Sequence, residues 1–189
     1  LRLGPAAPPG RNARARSRPQ WLGPHHRRDA GTGRAAPALQ HARACARCVG
    51  VAGGDATGLL LNAADDNSIE DAVTHIEQNI GPIEVVIYNL GAQIGNRPLE
   101  ETSYKAFELG WRLGTFGLFR LAKTVCPLME ERGSGKIIVT SATAAVRGNK
   151  GQHSHAAAMG GRRMLCQSLN AQYASKGIHV THILVDGAV

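Results

Sequence analysis

The hydrophobic positions of this chain follow a regular pattern only from about residue 51 onward. Short, nearly continuous apolar runs lie at residues 58–61, 83–88, 136–140 and 178–185. Such runs are typical of strands in a parallel sheet, which are buried on both faces. Between them, apolar residues recur at helical spacing and predict helices over about residues 68–80, 103–129 and 154–175. The alternation predicts an α/β domain over residues 51–189, a doubly wound parallel sheet with helices on both faces.

Polar residues and glycines mark the ends of the predicted helices. The segment Ser68-Ile69-Glu70-Asp71 has the spacing of a capping box, with Asp71 in the place of the usual glutamate. It predicts the start of the first helix. Gly81-Pro82 predicts its end, because glycine readily adopts the left-handed conformation after a helix and proline cannot continue one. Gly177 is expected to end the last helix in the same way.

Residues 1–50 lack this pattern and differ in composition. They hold ten of the 22 basic residues, all arginine, but only one of the 14 acidic residues, so their net charge is +9. Frequent proline and the lack of an apolar face predict a disordered segment in place of a first βαβ unit. An arginine-rich transit peptide is the alternative, although such peptides are rich in serine and this segment holds only Ser17. Because the chain begins with Leu1, we expect a fragment or an incomplete gene product, with the sheet incomplete at both ends.

The charge distribution argues against a nucleic-acid-binding body. Residues 51–189 hold the other twelve basic and thirteen acidic residues, a net charge of −1, so the overall +8 comes from the N-terminal segment. No apolar run approaches the ~18 residues that a membrane span requires. Cys45 and Cys48 form a CxxC near His41, but no second ligand pair follows at zinc-finger spacing, so we expect no metal site. We expect a cytoplasmic protein that binds neither nucleic acid nor membrane.

Three segments carry a family resemblance. Tyr88-Asn89-Leu90-Gly91 follows a predicted buried strand and looks like an Asn-Asn-Ala-Gly segment. Lys136 to Gly148 looks like a central strand with its loop, and residues 155–189 look like an active-site helix and a strand that ends in Asp186-Gly187. In this order the segments resemble the short-chain dehydrogenases/reductases, a Rossmann-like family that binds NAD or NADP. The resemblance implies an NAD(P)-dependent oxidoreductase that acts on a small carbonyl or alcohol substrate.

All four catalytic positions of that family are substituted in this chain. The family uses Tyr-x-x-x-Lys on a helix, a serine before the tyrosine and an asparagine in the preceding long helix. The resemblance equates these positions with His155 for the tyrosine, Met159 for the lysine, Ala142 for the serine and Gly114 for the asparagine. A lysine lowers the high pKa of a neighbouring tyrosine. Methionine can neither do this nor transfer a proton.

Two neighbouring side chains stay candidates for chemistry. His155 needs no lysine partner to act as an acid, because imidazole titrates near pH 6.5; the alternative is a solvated or capping residue at a helix start. Ser141 is one residue from the serine position and points to the opposite face of an extended strand; the alternative is a hydroxyl that bonds to the backbone. Arg162 stands where the family prefers an apolar residue, and we expect it to pack poorly.

The resemblance also assigns cofactor residues. It puts Asn62 and Ala63 near adenine, Asn89 and Gly91 near the ribose, and Thr140, Asp186 and Gly187 toward the nicotinamide. The glycine-rich pyrophosphate loop corresponds to the region of Gly4 to Gly10, which holds three prolines and follows no apolar strand. Because backbone amides bind the phosphates and proline has none, we expect weak or no binding of NAD or NADP. The choice between the two cofactors stays open.

Two functions therefore stay open. One is an NAD(P)-dependent oxidoreductase with weakened or lost activity, and the other is a catalytically silent relative that acts as a binding or assembly module. Members of the family commonly dimerise through their two long helices, so we expect a homodimer. Gly110, Gly114 and Gly117 form a stripe that would let a second copy approach closely, unless Arg162 faces that copy and spoils the contact.

Overall fold

The computed structural model describes residues 56–65, 67–91 and 96–186. The elements, in chain order, are α1 (Ser68–Asn79), β1 (Val85–Tyr88), α2 (Tyr104–Trp111), α3 (Gly117–Arg132), β2 (Gly135–Ala142), α4 (His153–Tyr173) and β3 (Ile178–Val185). Short 3-10 turns lie at Leu99–Glu101, Thr143–Ala145 and Ala174–Lys176. The predictions for residues 1–50, which include the Gly4–Gly10 loop and the Cys45–Cys48 pair, and the prediction for Gly187 fall outside the described residues.

The three strands form one parallel sheet in the order β1–β2–β3. The register pairs Ile87 with Ile138, and Ile138 with Thr181. Helices α2 and α3 lead from β1 to β2 and α4 leads from β2 to β3, as parallel pairing requires. The predicted α/β fold with a parallel sheet is confirmed, and Gly177 ends the last helical turn with a φ of 80° as expected.

The predicted strand at residues 58–61 is wrong. These residues belong to no strand, and Leu60 and Leu61 are 62% and 49% exposed. A strand depends on hydrogen bonds to a neighbour for its backbone groups. No strand of the described part of the chain lies beside this segment, so its apolar pattern alone does not make it one.

The core lies on the side of the sheet that faces α3 and α4. Ile137 and Val139 of β2 are fully buried there, and α3 contributes Leu118, Val125 and Met129. On the opposite face, Val85 and Ile87 of β1 are 47% and 66% exposed. In the described part of the chain, the helical layer thus covers the face that carries Ile137 and Val139.

The long helix predicted over residues 103–129 is interrupted in the middle. Arg112–Phe116 form a π-helical segment between α2 and α3, in which the Gly117 N–H donates to the Arg112 carbonyl. The carbonyl of Leu113, inside this segment, accepts the hydroxyl of buried Tyr88 at 2.5 Å. A side chain at Gly117 would clash with that same hydroxyl. The π segment therefore fits closely over the end of β1.

The start of α1 is capped differently from the prediction. Oδ1 of Asp65 accepts the backbone N–H groups of Asn67 and Ser68, each at 3.0 Å. The hydroxyl of Ser68 accepts the N–H of Asn62 at 2.9 Å instead of capping the helix. The capping box is therefore wrong, because the Asp65 carboxylate already satisfies the amides at the helix start.

The glycine stripe of the long helical segment faces the inside of the chain. Gly110, Gly114 and Gly117 are all buried in the single chain. Gly117 adjoins the Tyr88 hydroxyl, and the Gly114 carbonyl accepts a bond from Arg162. The expected contact of this stripe with a second copy is wrong, because packing within the chain already uses it.

Candidate functional site

Among the cavities that adjoin the sheet in the described part of the chain, two differ clearly in chemistry. The larger, about 660 Å³, lies between α1 and β1 and is lined mainly by apolar side chains such as Val73, Ile76 and Ile87. The smaller, about 160 Å³, lies where β1 and β2 end. Ligands of open α/β sheets bind outside the carboxyl ends of the strands. Position and polar lining make the smaller pocket the candidate site.

The pocket brings together most of the residues that the sequence predicted for catalysis and for the nicotinamide side of the cofactor. Its wall is formed by Asn89, Leu90, Gly91, Thr140, Ser141, Ala142, His155, Met159 and Arg162. Asn62, Ala63 and Asp186 are not among them. Asn62 is exposed, and its Oδ1 accepts the Ala64 N–H at 3.1 Å. Ala63 is buried and lines the larger cavity. Asp186 is exposed and follows β3.

A side-chain pair links the ends of β1 and β2. The hydroxyl of Thr140 donates to Oδ1 of Asn89 at 2.5 Å. This bond fixes the asparagine directly after β1, whereas Gly91 lies next to open space. Among the described residues, nothing lies within 4 Å of a side-chain position at Gly91, so the edge is open there. The loop expected for the pyrophosphate belongs to residues that the structure does not describe.

Ser141 and Met159 contact each other inside the pocket. Both side chains are buried, and the Ser141 hydroxyl donates to the Met159 thioether sulfur at 3.5 Å. The alternative that this hydroxyl bonds to the backbone is therefore wrong. Sulfur is a weak acceptor and carries no transferable proton. Met159, at the lysine position of the resemblance, occupies the place next to Ser141 without supplying a charge.

Arg162 is the residue on which sequence reasoning failed. It is only 2% exposed, and its guanidinium makes three bonds to backbone carbonyls. Nε donates to Gly114 at 2.8 Å, and the two terminal nitrogens donate to Thr140 at 2.7 Å and to Leu90 at 2.8 Å. The expectation of poor packing is wrong, and so is the concern that Arg162 faces a partner. The side chain ties β1, β2 and the π segment together at the pocket.

The electrostatic setting of Arg162 is unusual. Its guanidinium carbon lies 5.1 Å from the centre of the Tyr88 ring, close enough for a cation–π contact. Burial lowers the pKa of Arg162, but a guanidinium keeps its charge because its ordinary pKa lies far above neutral pH. Burial also raises the pKa of Tyr88 to about 12, against the opposing effect of Arg162, so the phenol stays neutral. The structure thus places a permanent positive charge in the wall of the pocket.

His155 contributes the imidazole of the pocket wall, a side chain that can both donate and accept a proton. It is half-buried in the first turn of α4, and this turn is docked on α2 by Ser154, whose hydroxyl donates to the Phe107 carbonyl at 3.2 Å. The helix start therefore holds the imidazole at the pocket, as expected from the spacing to Met159.

The described residues contain no group of three or more His, Cys, Asp or Glu side chains arranged to hold a metal ion. In the same part of the chain, no helix is long and apolar enough to cross a membrane.

Comparison with known proteins decides the family. A family model described as short chain dehydrogenase matches residues 31–187. The chain belongs to the short-chain dehydrogenase family. The match starts at residue 31, inside the arginine-rich segment, and ends at the Asp186-Gly187 pair.

Two relatives show how far the similarity to short-chain dehydrogenases extends. The chain is 32% identical over 128 residues to a 2-dehydro-3-deoxy-D-gluconate 5-dehydrogenase from Formosa agariphila, covering 68% of this chain and 48% of the relative. It is 30% identical over 128 residues to the 3-oxoacyl-[acyl-carrier-protein] reductase FabG of Salmonella typhimurium, covering 68% and 52%. The chain thus spans about half the length of these relatives.

Solved structures agree with this short-chain dehydrogenase fold. A short-chain dehydrogenase from Rhodopseudomonas palustris superposes with a TM-score of 0.72 at 30% identity, covering 77% of this chain and 68% of that one. A gluconate 5-dehydrogenase from Burkholderia cenocepacia, solved with NADP and tartrate, gives 0.73 at 25% identity, covering 78% and 58%. The Rossmann-like fold expected from the resemblance is confirmed.

Proposed function

We propose that the chain is the cofactor- and substrate-facing part of an NAD(P)-dependent oxidoreductase for carbonyl or alcohol substrates, with its activity weakened or lost. The observation that carries this proposal is the contact between Ser141 and Met159. At the position where the resemblance implies a lysine, the pocket holds a buried thioether. No ammonium group there can lower the pKa of a proton donor.

His155 is the residue through which we propose that any remaining proton transfer runs. It stands at the tyrosine position and lines the pocket with Ser141. An imidazole exchanges protons near neutral pH without a charged neighbour, whereas a tyrosine does not. A general acid of this kind contributes about 10²- to 10⁴-fold to a rate, so any turnover that runs through His155 depends strongly on its imidazole.

Cofactor binding is proposed at the edge formed by Asn89, Gly91 and Thr140, with Asp186-Gly187 beyond β3 and Asn62-Ala63 on the adenine side. A nicotinamide cofactor bound there would supply or accept the hydride. Support comes from the open space at Gly91 and from a similar gluconate 5-dehydrogenase that was solved with NADP. We propose weak affinity for either cofactor, because the Asn62 and Asn89 side-chain oxygens already accept bonds within the chain.

A cofactor titration tests this proposal. The four oxidised and reduced nicotinamide cofactors are added to the purified chain while its thermal unfolding is followed. A ligand at one hundred times its Kd stabilises by about 2.7 kcal/mol, which is a shift of several degrees. We expect shifts below about 2 °C at millimolar cofactor. A shift of several degrees would contradict weak binding.

Any cofactor-dependent turnover is then measured in His155→Ala, with His153→Ala in the same helical turn as the control. We expect His155→Ala to lower the rate at least tenfold, while His153→Ala leaves it unchanged. Equal rates in the two variants would exclude His155 as the acid.

An assembly role is the second candidate, and one surface feature favours it. Trp111, Phe116 and Phe119 form an aromatic row along α2, the π segment and α3, with ring centres 5.0 and 6.1 Å apart. Trp111 and Phe119 are 41% and 45% exposed. Exposed aromatic residues are typical of contact surfaces. We propose that this row, and not the buried glycine stripe, contributes to a homodimer.

The mass of the chain in solution, measured by light scattering, tests for this dimer. The chain is expected to have a dimeric mass at micromolar concentration, and Phe119→Glu is expected to give a monomeric mass. Lys123→Glu, an exposed position one turn further along α3, serves as the charge control. A monomeric mass of the unchanged chain would contradict the proposal.

A further inference from the structure

The charge of Arg162 has no acidic partner among the described residues. Each of its three hydrogen bonds ends on a neutral backbone carbonyl, those of Gly114, Thr140 and Leu90. The ion pairs found in the described residues involve Arg112, Arg132 and Lys176, and none of them includes Arg162. Buried charges are normally paired, because removing an ion from water costs several kcal/mol. Carbonyl dipoles offset part of this cost, but the positive charge remains.

The donor groups of Arg162 are also not used up. A guanidinium has five N–H groups. Three of them are engaged with the carbonyls, so two have no acceptor in the described part of the chain. The side chain forms part of the pocket wall together with Ser141 and His155, which are both able to donate hydrogen bonds. The pocket therefore combines a fixed cation with further donors.

We propose that this pocket binds the carboxylate of a small ligand. Arg162 would provide the charge, and the Ser141 hydroxyl would turn from the weak Met159 acceptor to a carboxylate oxygen. A volume of about 160 Å³ holds a group with only a few heavy atoms, so the carboxylate enters alone or as the end of a larger molecule. Charge-assisted hydrogen bonds to a guanidinium are among the strongest that a protein makes. A neutral group of the same shape would leave the cation uncompensated.

One consequence of this inference rests on the proposed function: if the chain is part of an oxidoreductase, its substrate is an oxo- or hydroxy-acid. The binding itself needs neither cofactor nor turnover. It is therefore measured on the chain without nicotinamide, so that a failure of cofactor binding and a failure of carboxylate binding are separate results.

The experiment compares sodium acetate with acetamide, its neutral counterpart of the same shape. Binding is followed by titration calorimetry and by thermal unfolding, with sodium chloride at matched ionic strength as the salt control. We expect saturable binding of acetate, a rise in the unfolding temperature beyond that in sodium chloride, and no saturable effect of acetamide. Equal effects of acetate and chloride, or of acetate and acetamide, would overturn the proposal.

Two matched arginine variants test whether the carboxylate binds at Arg162. Arg162→Met removes the charge and keeps an unbranched side chain, and Arg163→Met makes the same change at the adjacent, less buried position of α4. We expect acetate affinity to fall at least tenfold in the first and to stay unchanged in the second. If Arg162→Met does not fold, Ala142→Leu fills the pocket while Arg162 keeps its carbonyls, and it is expected to abolish acetate binding. Unchanged affinity in a folded Arg162→Met, or in Ala142→Leu, would show that the three carbonyls alone satisfy the arginine.

Discussion

At the scale of single residues, several side chains around the pocket donate hydrogen bonds to backbone carbonyl groups. Tyr88 donates to Leu113, Arg162 to Gly114, and Thr115 to Ala158 at 2.8 Å. A carbonyl is present at every position whatever the residue type. Such a bond therefore leaves no signal in the acceptor's sequence, which explains why the role of Arg162 could not be predicted. The position of Asn89, Thr140, Ser141, His155 and Met159 at one pocket could be predicted, because the resemblance fixes their spacing along the chain.

The environment of His182 on β3 predicts how the stability of the chain depends on pH. It stands in register with Val139 on the helix-covered face, and its Nε2 is buried without a hydrogen-bond partner among the described residues. Burial lowers its pKa, and the positive charges of Arg162 and Arg163 lower it further. The folded chain thus binds a proton at His182 less readily than the unfolded chain, whose imidazole titrates near 6.5. Its contribution to stability is present above that pH and is lost as the pH falls below it.

We therefore expect the free energy of unfolding to decline between pH 7.5 and 5.5, and His182→Gln to reduce this decline. Urea unfolding at several pH values measures the effect. His179→Gln, at an exposed position of the same strand, is the control and should keep the decline of the unchanged chain. Parallel pH profiles for the chain and His182→Gln would refute the sign of the shift.

At the scale of elements, the spacing of apolar residues predicted which helices and strands exist better than it predicted irregularities within them. The strands β1, β2 and β3 and the helix α4 were found close to their predicted bounds. The π segment at Arg112–Phe116 was missed, because it spans only five residues, too few for a change in the period of apolar positions to be seen. The predicted strand at residues 58–61 failed for the opposite reason. The apolar pattern of these residues suits a strand. A strand also needs a neighbouring strand for its backbone hydrogen bonds, and the pattern of a segment carries no information about its neighbour.

Adjacent glycines of α4 give a matched test of how the π segment is packed. A side chain at Gly160 would meet nothing within 4 Å, whereas one at Gly161 would come within 2.8 Å of the Thr115 hydroxyl. Thr115 is bonded to the Ala158 carbonyl and cannot move without losing that bond. Gly160→Ala is expected to stabilise the chain by about 0.5–1 kcal/mol through helix propensity. Gly161→Ala is expected to destabilise it by about 1–3 kcal/mol through overpacking.

Chemical denaturation of the two glycine variants measures the difference. Because the two substitutions are identical and adjacent, their propensity contributions cancel in the comparison. A stabilising Gly161→Ala would mean that α4 and the π segment are packed more loosely than the Thr115 contacts indicate.

At the scale of the whole molecule, the charge of the chain and the charge of its site are unrelated. The body of the chain is nearly neutral overall, with twelve basic and thirteen acidic residues in residues 51–189. The candidate pocket nevertheless contains a buried arginine and a histidine in its wall. Net charge therefore predicts broad classes of partner, but it does not report the charge preference of a pocket.

The three bonds of Arg162 also have a consequence for the order of events in folding. They span 22, 48 and 72 residues of sequence, to Thr140, Gly114 and Leu90. Loops of this length cost entropy to close, and the three carbonyls converge only after β1 has paired with β2 and the π segment has formed. We therefore expect the contacts of Arg162 to form after the folding transition state. Interactions that form this late act on the unfolding rate and leave the folding rate nearly unchanged. Arg162→Met is accordingly expected to shorten the lifetime of the folded chain while changing the rate of its formation little, which stopped-flow folding and unfolding kinetics measure.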